Sequence, residues 1–190
     1  MQKPIATTRS ATGIPTGRLA VWWVLASEVV IFGGLLASYL MFRLGHPEWA
    51  NAAAVTNTWI GAFNTLVLLS SSFTAVLAHQ AAENGDGKLA AKYLMMTMAG
   101  ALIFLLVKSY EWSSEIGHGY TITANGFWSF YYTAAGLHAA HVIAGAVIMG
   151  FIAADAAKGR ELQRVELIGI YWHFVDVVWI FLFPLLYIAK

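Results

Sequence analysis

Five runs of apolar residues, separated by short polar or glycine-containing breaks, set the pattern of this chain: 19–42, 57–82, 90–114, 126–154 and 165–189. Each is longer than the roughly 20 residues a helix needs to cross the hydrocarbon of a bilayer. Polar and apolar residues do not alternate with period two, which argues against a transmembrane barrel. Backbone groups in lipid must then be paired within helices. The pattern predicts an all-α integral membrane protein, a five-transmembrane-helix bundle over residues 18–190, behind a flexible polar tail over 1–17. The breaks carry turn chemistry: Gly45, Pro47 and Asn51 in the first, Glu83 to Lys88 in the second, Gly117 to Asn125 in the third, Lys158 to Arg164 in the fourth. The first run is too long for a signal-peptide core and has no convincing small-residue cleavage site, so it is expected to be retained. No internal repeat is found.

Composition supports the membrane reading, with 59% hydrophobic and 11% charged residues. The lack of cysteine excludes disulfides, c-type haem attachment, thiolate metal sites and a cysteine-bridged copper centre. A formal net charge of +1 offers no basic surface to nucleic acid. The positive residues are placed unevenly. Lys3, Arg9, Arg18, Lys88, Lys92, Lys158, Arg160 and Arg164 fall on one side of the expected bundle, and Arg43 and Lys190 on the other, with Lys108 near that surface. The asymmetry predicts a cytoplasmic amino terminus and a carboxyl terminus outside.

Candidate chemistry lies in polar residues that interrupt the apolar runs. His173 and Asp176 are three apart in the last run, so a helix puts them on one face, with Trp172 and Trp179 offering indole donors beside the carboxylate. A charge at that depth costs about 2.5–3.5 kcal/mol on insertion scales and should face protein or enclosed water. At about 1.5 Å per residue, Glu28, His173 and Asp176 lie roughly 13, 10 and 15 Å from the cytoplasmic ends of their spans, and His141 and His138 roughly 20 and 24 Å. These five are expected to form a buried hydrogen-bonded network that locks the first, fourth and fifth spans together. A packing role for Glu28 outweighs a proton-relay role. For the histidines, hydrogen-bonded core groups outweigh a metal pair at His138 and His141, or haem held by one of these with His173. Small residues in the fourth span, including Gly136, Ala140 and Gly145, allow close backbone approach and mark it as the central helix. Lys108 and Glu111 are expected to be a snorkelling surface pair.

Four ordered motifs resemble subunit III of the haem-copper oxidases, the family of cytochrome c and quinol oxidases. They are Ser27-Glu28-Val29 followed by Phe32, Asn64 to Ser71 (NTLVLLSS), Gly136 to Gly145 (GLHAAHVIAG), and Tyr171 to Trp179 (YWHFVDVVW). The resemblance covers nearly the whole chain after the tail. It implies that Glu28 matches the family's carbodiimide-reactive buried carboxylate, and that His138 and His141 match its histidine-rich helix. The long form of the family has seven helices and a lipid cleft; five helices resemble the shorter bacterial form. The resemblance implies an accessory subunit, not catalytic by itself and holding no haem or copper, which stabilises subunit I and supports proton uptake while oxygen is reduced to water. Haem and copper would sit in partner subunits, subunit I being the main contact and subunit II a further one. The expected place is the bacterial cytoplasmic membrane, with room for a bound phospholipid and a larger respiratory supercomplex. A subunit III-like partner of a quinol oxidase or nitric oxide reductase is the nearest alternative. From other classes stand a haem-binding membrane anchor and a proton or small-solute channel through Glu28 and Asp176; the lack of a broken helix counts against the channel.

Overall fold

A computed structural model describes residues 16–189. The expected tail over 1–17 lies outside the described residues except for Thr16 and Gly17, which already belong to the first helix. The elements are α1 (Thr16–Gly45), α2 (Trp49–Val55), α3 (Thr58–Glu83), α4 (Gly87–Gly117), α5 (Gly126–Ala156), α6 (Gln163–Phe183) and a π-helical turn (Pro184–Ile188). Five helices are long and apolar enough to span a membrane, the last counted through the π turn. The break at 43–56, expected as a loop, holds the short α2.

Side-chain caps fix where three spans begin. Asn57 accepts from the Trp59 and Ile60 amides, Asp86 from Leu89 and Asn125 from Trp128, each satisfying donors that a first helical turn leaves unpaired. Between α3 and α4 the chain reverses through Gly85 at φ 78°, a left-handed conformation that glycine adopts without steric cost. The hairpin closes tightly: a Cβ on Gly100 would stand 2.7 Å from the Ser71 Cβ.

α4 also packs on α5, and α6 lies against α3, α5 and α1. Of the most apolar 18 residues of each span, 11% are buried in α1, against 33% in α5 and 39% in the last span, so α1 is peripheral while α5 and α6 share the interior. The small-residue helix, α5, expected to be central, shares that place with α6. Small residues bring α5 close to its neighbours, but the large Trp172, Trp179 and Leu182 of α6 fill the space between α3 and α5. Gly145 does sit at such a close approach, its Cβ position 3.1 Å from the Trp172 ring, whereas Ala140 is exposed and Gly136 meets only Trp112 at 3.9 Å.

The helix changes character at Pro184, which has no amide hydrogen to donate. In the π turn that follows, the Ala189 amide reaches back to the Pro184 carbonyl at 2.8 Å. The carbonyls of Leu185, Leu186, Tyr187 and Ala189 accept instead from Tyr39, Thr56, Thr58 and Arg43, at 3.0, 3.4, 3.0 and 2.8 Å. Residues of α1, the α2–α3 junction and α3 are thereby tied to the end of the last span.

Candidate functional site

The five residues expected in one network occupy three places around α6. Glu28 and His141 meet where α1 crosses α5. His141 Nε2 is 3.0 Å from Glu28 Oε2, with side chains 17% and 15% exposed. The contact is a close ion-pair approach off the line of a hydrogen bond. His141 Nδ1 lies 2.8 Å from the Leu137 carbonyl, which can only accept, so Nδ1 carries a hydrogen. Nε2 then faces the Glu28 carboxyl group. The Phe32 ring meets the His141 ring edge-on at 5.3 Å and shields it.

On the other side of α6, in the groove with α3, His173 Nδ1 is 2.5 Å from the Ser72 hydroxyl. Asp176, 3% exposed, has no hydrogen-bond partner on either carboxyl oxygen. The indoles expected beside this carboxylate donate elsewhere: Trp172 to the Ser71 hydroxyl at 3.1 Å, Trp179 to the Thr65 hydroxyl at 3.0 Å. His173 and Asp176 share a helix face but make no hydrogen bond to each other.

His138 is fully buried between α4, α5 and α6. Its Nε2 donates to the Val175 carbonyl at 3.1 Å, and its ring packs on Phe104 and Trp179 at 5.4 and 5.1 Å. Neither it nor His173 is turned toward a shared axial position: one imidazole is held by a backbone carbonyl and the other by a serine. Among the described residues, no three histidine, aspartate or glutamate side chains converge as a metal-binding set.

A fourth polar cluster was missed by sequence reasoning. Lys108, expected at the surface, is 1% exposed, and Glu111 3%. The ammonium donates to Glu111 Oε2 at 3.0 Å, to the Tyr131 hydroxyl at 2.9 Å and to the Tyr187 hydroxyl, which uses all three of its hydrogens. Tyr131 donates its one hydrogen to Glu115 at 3.1 Å, so Tyr187 is the donor in the 3.1 Å contact between the two phenols. The rings of Tyr131, Tyr187, Trp112 and Trp179 surround the ammonium at 4.6–5.6 Å from their centroids. One signal was available: Lys108 is nine residues before the end of α4, about 14 Å, too deep for its side chain to reach water.

Comparison with known proteins gives these polar places a family. A model of cytochrome c oxidase subunit III matches residues 7–190. The chain is 34% identical over 173 residues to cytochrome c oxidase subunit 3 of Corynebacterium diphtheriae, covering 87% of this chain and 84% of that one. It is 36% identical over 169 residues to the corresponding protein of Thermostichus vulcanus, covering 86% and 83%. It also aligns over 183 residues, at 29% identity, with a heme-copper oxidase subunit I+III of Aeropyrum pernix, covering 90% of this chain and 22% of that one. With an all-helical, five-span architecture and a match over almost its entire length, this chain belongs to the cytochrome c oxidase subunit III family.

Proposed function

We propose that this chain is the accessory subunit III of a cytochrome c oxidase in a bacterial cytoplasmic membrane, where it stabilises subunit I and supports proton uptake from the cytoplasm. Haem and copper belong to its partners in this reading. The observation that carries the proton role is the Glu28–His141 pair, 3.0 Å apart and partly exposed, which sets an imidazole against a carboxyl group within the membrane spans. The Aeropyrum pernix protein named subunit I+III supports subunit I as the main neighbour. The turns joining α3 to α4 and α5 to α6, with Lys88, Lys92, Lys158, Arg160 and Arg164, support placing that side of the bundle in the cytoplasm. A groove of about 580 Å³ between α1, α5 and α6, lined by Val21, Val24, Ile148 and Ile168 with Arg164 beside it, suits a phospholipid chain under its headgroup.

The test is made on oxidase purified through a tag on this chain. Stripping the partners should remove the haem bands and leave this chain colourless; bands that stay would overturn the accessory reading. In the intact complex, Glu28→Gln should keep the haem spectrum and subunit content but slow proton uptake and shorten the number of turnovers before inactivation. Unchanged uptake and unchanged turnover lifetime would remove the proton role from this pair.

A further inference from the structure

We propose that the groove between α3 and α6 is a second proton-access lane, leading from the membrane surface at the α3–α4 turn to a proton-holding site at Asp176, separate from the Glu28–His141 pair. The inference rests on reading the chain as a subunit of a proton-consuming complex, but it concerns different residues on the opposite side of α6.

The polar groups along this groove are ordered by depth. Glu83, at the end of α3, has a side chain 67% exposed; His79, 3.5 Å from it, is 36% exposed. Ser72 is seven residues before His79, about 10 Å deeper and on the same helix face. It touches His173 Nδ1 at 2.5 Å and borders the carboxyl of Asp176, which is 3% exposed. On α6, Gly169, His173 and Asp176 follow at intervals of four and three, so they form one stripe facing α3. Gly169 is buried, yet a Cβ built on it would meet nothing within 4 Å. No side chain is packed against Gly169 in the stretch between the two imidazoles, and a long side chain there would fill it.

The end of the lane has unmet bonding capacity. Neither oxygen of Asp176 has a partner, and a carboxyl group in such a place is satisfied by a proton of its own and by water. Other ionisable groups around α6 are engaged elsewhere. Glu166 is paired with Arg18 at 2.6 Å, His138 with the Val175 carbonyl, His141 with Glu28, and Lys108 and Glu111 with each other in the outer cluster. Among the described residues, the Glu83–His79–His173 side is the one that leads to Asp176.

The transfer balances without a further reactant. A proton from surface water crosses His79 and the stretch beside Gly169 to His173 Nε2. His173 releases its Nδ1 hydrogen to Ser72 Oγ, and Ser72 passes its own hydroxyl hydrogen to Asp176. The carboxylate becomes a neutral acid, Ser72 and His173 are unchanged in charge, and His173 ends as the Nε2–H tautomer. Reversal empties the site.

Infrared difference spectroscopy of the purified complex, moved from H₂O into D₂O, reads this directly through the carboxylic-acid C=O band assigned by Asp176→Asn. The wild type should exchange that band quickly. Gly169→Leu and His173→Phe should each slow the exchange tenfold or more, with Gly169→Ala and Glu28→Gln without effect. Haem content and subunit stoichiometry confirm that each variant assembles, and His173→Phe serves if Gly169→Leu does not. Absence of an Asp176 acid band at every pH, or equal exchange rates in the obstructed variants, would overturn the lane. If the band and its dependence on Gly169 and His173 hold while no haem-containing subunit copurifies, the lane stands and the oxidase reading fails.

Discussion

Lys108 shows how one residue changes meaning between sequence and structure. Its ammonium is enclosed by two carboxylate-bearing residues and four aromatic rings, and each of its hydrogens is used. Removing one member of such a buried pair leaves the other uncompensated, which costs about 3–5 kcal/mol, whereas replacing both by apolar residues of similar volume is often neutral. Lys108→Met should therefore destabilise the protein by about that amount in a detergent unfolding assay, and Lys108→Met with Glu111→Leu should recover most of the loss. A single variant as stable as the wild type would show that the cluster is not a charged unit. Ser71 presents a smaller case. Ser71→Ala deprives the buried Trp172 indole of its acceptor, and an unmet buried donor costs about 1–3 kcal/mol. The expected readout is a lower midpoint of thermal unfolding, with indole fluorescence shifted as the donor loses its partner.

At the scale of elements, the α3–α4 hairpin depends on the absence of a side chain at Gly100. A Cβ there would stand 2.7 Å from Ser71, so the helices must separate or the Ser71 region must yield. Overpacking of this kind costs about 1–3 kcal/mol, and Gly100→Val should cost more than Gly100→Ala, because it adds bulk at a contact already too short. Gly100→Ala should cost less in a Ser71→Gly background than in the wild type if the clash is the cause; equal costs in the two backgrounds would place the effect elsewhere. The breaks ahead of α4 and α5 were legible from their turn residues, while the caps Asn57, Asp86 and Asn125 came from the structure. The π turn was not legible. Pro184 signals a disturbance, but the donors to the freed carbonyls, Tyr39, Thr56, Thr58 and Arg43, lie more than a hundred residues away in the chain.

Over the whole molecule, attachment is uneven. α3, α4, α5 and α6 enclose one another, while α1 rests on the others along a narrow seam that includes Glu28, Phe32 and Tyr39. Regions with few buried contacts open first, so in the isolated chain in detergent the amides of α1 should exchange with deuterium well before those of α3 and α6. Equal protection across all five spans would contradict this hierarchy. The sequence by itself determined the class, the five spans, the turns between them and the kinship of the chain, because span length, hydropathy and local turn chemistry act over neighbouring residues. It also named Glu28, His138, His141, His173 and Asp176 as polar groups at similar depth. Depth follows from counting residues along a helix, but azimuth and partnership do not. Only the tertiary structure decided that α6 shares the interior with α5, that Glu28 meets His141 while His173 meets Ser72, and that Lys108 is buried. Those outcomes depend on which faces of separate helices are turned toward each other, and that is set by packing among residues far apart in the chain.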